Sequence, residues 1–513
     1  MFALDRFVQR SETQIRQPVD VCLIAEGSYP HIAGGVSSWI DWLMRTQESR
    51  TFAVVSVVVG AAPRPSKYAF PANLTHIAEL DLQAKLARSR IQRRPVLCHA
   101  DELAEPLINL IRGGGLAEFC KLNEIVNEPG REMTREDLLD SDLSFDVVRR
   151  IYDTVMPHAS FVQFYWAFRA LFGGLFAILK FKPPTAAIYH TISTGYAGLL
   201  AARATLTTGK PAVVTEHGIY TNERRIEILM ADWISDSVEK GLSLNDPRTD
   251  LRDVWINVFE SYARICYEAS RVITTLYRDN QHQQIVIGAD PEKLSVIANG
   301  IDVKRFANVP CASAEAPPTM ALIGRVVPIK DVKTFITSVA LARNRLPRLK
   351  ALVLGPTDED VEYFAECKAL VDELNLAEVL TFTGNVKIAD FMSSIHVVVL
   401  TSLSEAQPLV LLEAGAAGIP CVATNVGSCR EIIEGTLEGD EPGGFVTDLV
   451  APEQLAEATI QLLSNPGLRE RLGENLRQRV RQRYASDLSR DKYAALYANL
   501  AASSVHSSCS GGN

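Results

Sequence analysis

From Met320 onward, short apolar runs alternate with longer helical patterns, and nothing else in this chain of 513 residues limits its fold as tightly. The runs are Met320 to Ile323, Lys350 to Leu354, Val379 to Thr383, Val397 to Leu400 and Pro420 to Thr424; helical patterns start near Asp331, Glu362, Ile388, Pro408 and Pro452. An apolar run without alternation suits a strand buried on both faces. Parallel strands need crossovers of this length, so the rhythm implies an α/β fold with parallel sheets.

The first half repeats the pattern less cleanly. Strands are expected at Val19 to Ala25, Phe52 to Val59, Ala186 to His190, Ala212 to Thr215, Val272 to Thr275 and Leu294 to Ile297, with helices at Val36 to Arg45 and Gly195 to Leu206. Residues from about 63 to 180 break the rhythm. They hold the charged pattern Leu82 to Arg94, the triplet Gly113-Gly114-Gly115, the acidic run Glu124 to Asp142 and the aromatic cluster Phe161 to Phe168, and they read as a mostly helical insertion. The organisation expected is a leader at 1–18, a first domain at 19–302, a linker at 303–318 where Ala, Pro and Ser gather, and a second domain at 319–485. A helix over 486–502 could cross back to the first domain, and 503–513 (SSVHSSCSGGN) should be disordered.

Composition removes several classes of function. The net charge of −9 leaves no basic surplus for a nucleic-acid partner. The first residues contain no apolar signal core. The longest uninterrupted apolar stretch, Ala170 to Leu179 between Arg169 and Lys180, is too short to span a bilayer. Nine cysteines without a Cys-x-x-Cys pair read as reduced thiols in the cytoplasm, with no zinc site.

Two such domains place a cleft between the carboxyl ends of two sheets, so ligand groups should fall in loops after strands. After Val397 to Leu400 comes SLSEAQPLVLLEAGAAGIPCVATNVGSCRE (402–431), with Glu405 in the loop and Glu413 just over a turn into a helix. Pro408 suits the first helical position, and the free amides of Leu409 and Val410 can point at a phosphate. Carboxylates repel phosphates, so Glu405 and Glu413 fit sugar hydroxyls better, and the combination suggests a nucleotide sugar. After Ile323, Arg325 and Lys330 flank a proline turn ahead of a helix, which suits a diphosphate; a solvated loop is the plainer alternative. Gly34-Gly35 allows close backbone approach but is more often a simple turn. His217, beside Gly218 at a strand end, could reach a sugar or be a structural histidine, and Asn299-Gly300 is a turn first and a ligand contact second.

Taken together, Gly34-Gly35-Val36, Glu216-His217-Gly218, Asn299-Gly300-Ile301-Asp302, Gly324-Arg325 to Lys330 and the Glu405-x7-Glu413 spacing resemble the retaining family-4 glycosyltransferases. The resemblance covers most of residues 19–500 apart from the insertion. It implies a GT-B fold: two Rossmann-like domains facing a cleft, with a helical insertion in the first. The segments EGSYPHIAGGVSSWID, TEHGIY and SEAQPLVLLEAGAAGIPCVATNVGSCRE are similar to the PelF-like branch, which serves Pel exopolysaccharide synthesis in the cytoplasm. That branch implies a UDP-hexose donor, UDP-glucose first, no metal or other cofactor, a polysaccharide acceptor, and inner-membrane Pel proteins as partners. By resemblance, Arg325 and Lys330 hold the diphosphate, Glu413 takes the ribose, Glu405 addresses the hexose near its anomeric centre, His217 stands beside the donor sugar, and Gly34 and Gly35 admit the β-phosphate. Where many relatives have Phe-Gly ahead of the second glutamate, this chain has Ala406-Gln407-Pro408.

The same residues admit other readings. The same fold could serve a glycolipid or lipopolysaccharide acceptor, or form a silent UDP-sugar-binding scaffold in a membrane complex. An NAD-dependent oxidoreductase lacks its Gly-x-Gly-x-x-Gly after the first strand, and a pyridoxal-phosphate phosphorylase lacks an evident lysine motif.

Overall fold

The computed structural model describes residues 8–10, 17–60, 64–83, 100–231, 249–310, 312–313 and 315–509. By contacts it divides into two compact units. The first holds Met1–Thr275, Gln281–Ser295 and Ala494–Asn513; the second holds Leu276–Asn280 and Val296–Tyr493. The sequence places the division after residue 302, and the structure places it after 295. The reason is local: the Ile301 amide bonds to Tyr484 O and the Ser486 amide to Ile301 O, which ties this stretch to the second unit.

The first unit is built on one eight-stranded sheet. Its strands are β1 (Val8–Arg10), β2 (Val19–Glu26), β3 (Phe52–Val58), β4 (Leu74–Asp81), β5 (Ala186–Thr191), β6 (Ala212–Glu216), β7 (Ser270–Thr275) and β8 (Leu294–Val296), in the order β1-β4-β3-β2-β5-β6-β7-β8. The pairings from β1 to β7 are parallel. The second unit has a six-stranded sheet of β9 (Thr319–Ile323), β10 (Lys350–Leu354), β11 (Leu380–Gly384), β12 (Val397–Leu400), β13 (Cys421–Thr424) and β14 (Gly444–Thr447), ordered β11-β10-β9-β12-β13-β14 and parallel throughout.

Why the central strands of the second unit carry apolar residues at successive positions is visible in their packing. Met320 and Leu322 of β9 join one core, with Val397 and Val399 of β12 and Val422 of β13. Ala321, Ile323, Val398, Leu400, Cys421 and Ala423 join the core on the other face. Successive side chains point to opposite faces, and helices cover both.

Three expectations need correction. The insertion is not helical from residue 63: β4 lies inside it and pairs with β3, Val54 opposite Ile77. Its polar residues Thr75, His76 and Glu79 interrupt the apolar pattern, and half-burial near the sheet margin permits them. The pattern Leu82 to Arg94 falls mostly outside the described residues, and from Ala100 to Lys180 the segment is indeed helical. Second, the apolar stretch Ala170 to Leu179 belongs to a longer helix, Phe161–Lys180, whose 20 residues are long and apolar enough to cross a membrane by length and composition. In the structure its Phe164, Phe168, Leu171, Phe172 and Phe176 are buried in the first unit's core. Third, the terminal helix Ser486–Cys509 continues into the stretch expected to be disordered. Once nucleated, a helix gains one bond for each residue added. The short strand β14 went unread, because four residues at a sheet margin carry little pattern.

Candidate functional site

In an open parallel sheet, ligands gather where strand order reverses, outside the carboxyl ends of the two central strands. In the second unit that point lies between β9 and β12. The loops that follow them are Gly324–Asp331 and Thr401–Pro408. Three bonds stitch these loops together: the Leu403 amide to Ile329 O at 2.8 Å, the Thr401 hydroxyl to Lys330 O at 2.8 Å, and an ion pair between Lys330 Nζ and Glu405 Oε1. The Ser402 hydroxyl donates to the same Glu405 oxygen at 2.7 Å. Lys330 and Glu405 are largely buried, with 22% and 14% of their side chains exposed, so the pair is shielded from solvent screening.

Arg325 and Lys330 are not a joint clamp in this structure. Arg325 is half exposed and pairs with Glu359 at 2.7 Å. The helix start behind them, Val332–Arg343, is already capped: Asp331 adopts a left-handed conformation (φ 45°, ψ 54°) and accepts the Thr334 amide at 3.3 Å. That helix offers no open end to an anion. The helix Leu409–Ala417 does. Pro408 is its N-cap, extended at φ −73° and ψ 107°, rather than its first helical residue. Leu409 and Val410 therefore occupy the first turn, where amides lack intrahelical acceptors. Glu413, the fifth residue of this helix, sits half-buried; burial raises its carboxyl above the usual range, and Arg305 nearby partly offsets this.

The glutamate loop is also gripped from other segments. Gly427 has φ +51°, and a Cβ there would stand 2.2 Å from Glu405 O. The Ser428 amide donates to Ala406 O at 2.9 Å. Gln407 meets Asn299: its Oε1 accepts the Asn299 amide at 2.8 Å and its Nε2 donates to Asn299 O at 3.2 Å.

In the first unit, Gly34 is the N-cap and Gly35 the first residue of the helix Gly35–Thr46. A Cβ at either would meet nothing within 4 Å, so internal packing gives no reason for glycine there. The same helix carries Trp39, whose ring lies edge-on to His217 with centroids 4.7 Å apart. His217 Nε2 is buried and makes no hydrogen bond among the described residues, and burial lowers its pKa to about 4, so the ring is neutral at pH 7. Glu216 before it is structural: it accepts the Tyr267 hydroxyl at 2.5 Å and Gln284 Nε2 at 2.8 Å. His190 also lies edge-on to Trp39, bonded to the Tyr497 hydroxyl at 2.6 Å and Thr215 Oγ1 at 2.7 Å, with its pKa lowered to about 3 by burial and by His217.

Sequence patterns passed over several of these partners. Ser402 stands three residues before Glu405, a spacing that signals a capping pair and could have flagged it. Trp39, Glu359 and Arg305 carry no signal of their own, because each acts through a partner remote in sequence.

A family model described as a domain of unknown function, DUF3492, matches residues 19–292, more than half of the chain. The chain belongs to the DUF3492 family. In this DUF3492 protein, residues 306–479 also match the model described as glycosyl transferases group 1. Curated relatives include a D-inositol 3-phosphate glycosyltransferase of Streptomyces griseus, 30% identical over 36% of this chain and 44% of the relative. An MMP alpha-(1->4)-mannosyltransferase of Mycolicibacterium hassiacum is 26% identical over 52% of this chain and 60% of the relative. The DUF3492 protein thus spans about half the length of the curated relatives it matches. Among solved structures, Anabaena HepE in complex with UDP superposes with a TM-score of 0.56 at 14% identity, over 94% of this chain and 100% of that one. HepE is also solved with UDP-glucose. Sucrose-phosphate synthase from Thermosynechococcus elongatus gives 0.57 at 18%, over 95% and 100%. These likenesses establish the fold: two Rossmann-like parallel-sheet domains of the GT-B class.

Proposed function

We propose that this DUF3492 protein is a retaining glycosyltransferase of the PelF-like branch of family 4, moving a hexose, glucose in the first instance, from a UDP-sugar to a growing exopolysaccharide. The observation that carries it is the largely buried Lys330–Glu405 pair at the switch point of the second sheet, beside the open helix start at Leu409. A diphosphate needs a fixed cation and free amides, and a sugar hydroxyl needs a fixed acceptor. An ammonium has three donors, so Lys330 can hold Glu405 and a phosphate oxygen together. Arg325, on its exposed arm, can exchange Glu359 for phosphate. Glu413 faces the ribose, and Asn299 lines the donor site. Gly34 and Gly35 supply a helix start open to the β-phosphate, and His217, neutral and with Nε2 unbonded, takes a donor-sugar hydroxyl.

In the reaction, the bond from the hexose anomeric carbon to the β-phosphate oxygen breaks. The acceptor oxygen bonds to that carbon on the same face, and the acceptor proton passes to the departing phosphate oxygen. Charge accumulates on the diphosphate, so Arg325 and Lys330 act mainly in the transition state. No metal enters this scheme. The reaction takes place on the cytoplasmic side, with inner-membrane Pel proteins as partners.

The experiment is UDP release from UDP-glucose by wild type and by Arg325→Ala and Lys330→Ala, with the anomeric configuration of the product read by NMR. UDP and UDP-glucose, the ligands in the HepE structures, are the first to try. Turnover unchanged in both variants, or an inverted product, overturns the proposal. The names of the curated relatives favour a second reading, in which the acceptor is a small polyol phosphate or a mannosyl glycan. Competing these acceptors against an oligosaccharide in the same assay separates the two.

A further inference from the structure

Gln407 is buried, and its side chain spends both of its hydrogen-bonding groups on the backbone of one residue 108 positions away. The amide-to-amide pairing resembles one rung of a β-ladder and fixes which end of the carboxamide points where. It takes up the N–H and the C=O of Asn299 together. The Asn299 side chain is then left out of the clasp, and its Oδ1 is buried with no hydrogen-bond partner among the described residues. A buried amide oxygen without a partner costs free energy unless something else donates to it. On the other side, Gln407 adjoins Pro408, the cap of the open helix start, and follows Glu405 by two residues. The loop between is pinned by Gly427 and Ser428 from behind. One carboxamide therefore connects three things: the carboxylate, the helix start and an unused acceptor.

We propose that Gln407 is a positioning residue: its clasp on Asn299 sets the Glu405 loop and aims Asn299 Oδ1 at a hydroxyl of the transferred hexose. The proposal rests on the donor site described above. Asn299 then contributes to the choice of hexose, and Gln407 acts through it. A leucine at 407 fills the space but leaves the Asn299 N–H and C=O unpaired. A glutamate still accepts from the N–H but, when ionised, cannot donate to the C=O.

The test measures kcat and KM for UDP-glucose and UDP-galactose, the Kd for UDP, and Tm, in wild type, Gln407→Leu, Gln407→Glu and Asn299→Ala. Gln407→Leu should lower kcat about 10- to 100-fold and bring the ratio of kcat/KM for the two sugars toward one, with Kd for UDP within about twofold. Gln407→Glu should fall between Gln407→Leu and wild type. Asn299→Ala keeps the backbone clasp, so it should keep Tm while lowering kcat about tenfold and losing the same discrimination. It carries the test if Gln407→Leu does not fold. An Asn299→Ala enzyme with wild-type kcat and sugar ratio overturns the proposal, as does a Gln407→Leu enzyme that loses only Tm or loses UDP affinity in step with kcat. A wild type that turns over no UDP-hexose overturns the glycosyltransferase reading itself.

Discussion

Both sheets follow one plan, with a central strand (β2 in the first, β9 in the second) whose neighbours wind out to either side, yet they differ in what stands over that strand's end. In the first unit it is a carboxylate. Glu26 closes β2, and its oxygens accept the Ala197 amide at 3.1 Å and the Tyr220 hydroxyl at 2.9 Å. Ala197 lies in the first turn of the helix Tyr196–Thr208, so the chain's own carboxylate already occupies that helix start. In the second unit the loop after β9 brings Arg325 and Lys330, and the helix start at Leu409 has no such plug. Topology locates a crevice in each; electrostatics makes the second the better candidate for an anion. The first unit also has a separate helix start at Gly35 without a side-chain cap.

The strongest way to break this contrast is Lys330→Ala, which leaves Glu405 buried and unpaired and removes a cation from the leaving group. Turnover of UDP-hexose should fall about 100- to 1,000-fold, as when one transition-state donor is lost. Rates within threefold of wild type would refute the electrostatic role.

Acid should sharpen the contrast next. His190 and His217 have folded pKa values of about 3 and about 4, below the free value near 6.5. Between those limits the unfolded chain binds more protons than the folded one. Their contribution to stability is complete above about pH 6.5 and is lost as pH falls. Over the interval from pH 6.5 to 4.5 the loss should be on the order of 4 kcal/mol for the pair. All five tryptophans stand before residue 256, so their fluorescence reports the first unit. Its urea midpoint should fall from pH 6.5 to 4.5, and His190→Gln should flatten that slope. A flat wild-type profile would show that neither histidine is held neutral by burial.

Removing the plug comes third. Glu26→Ala orphans the Ala197 amide and the Tyr220 hydroxyl and should cost about 1 to 3 kcal/mol in urea unfolding of the first unit. UDP affinity should stay within about twofold. Tighter UDP binding would mean that the first crevice is also an anion site once cleared. The smallest effect is expected at Gly35. With open space around its missing Cβ, Gly35→Ala should change stability by no more than about 1 kcal/mol, in the stabilising direction. Only the rate with UDP-hexose should fall, by a few-fold. An unchanged rate would remove the Gly34-Gly35 turn from the site.

Much of the second unit was legible in the sequence, because its signals are local. The runs Lys350 to Leu354 and Val397 to Leu400 are strands at those bounds, since an unbroken apolar run can only be buried on both faces. The positions of Glu405 in a loop and Glu413 a turn into a helix follow from the same periodicity. Strands β4 and β14 were not legible, being half-buried or very short, so the pattern that burial writes into a sequence was faint.

The sequence by itself determined the parallel α/β plan, the crossover helices, and which loops stand at strand ends, because backbone periodicity and burial act over a few residues at a time. Tertiary structure alone decided the partners: Lys330 with Glu405 across 75 residues, Arg325 with Glu359 rather than with Lys330, Gln407 with Asn299 across 108, and Glu26 at a helix start 171 residues on. A charge or an amide carries no mark of its partner. Its role is set only when the fold has brought a second group within about 3 Å and taken the water away.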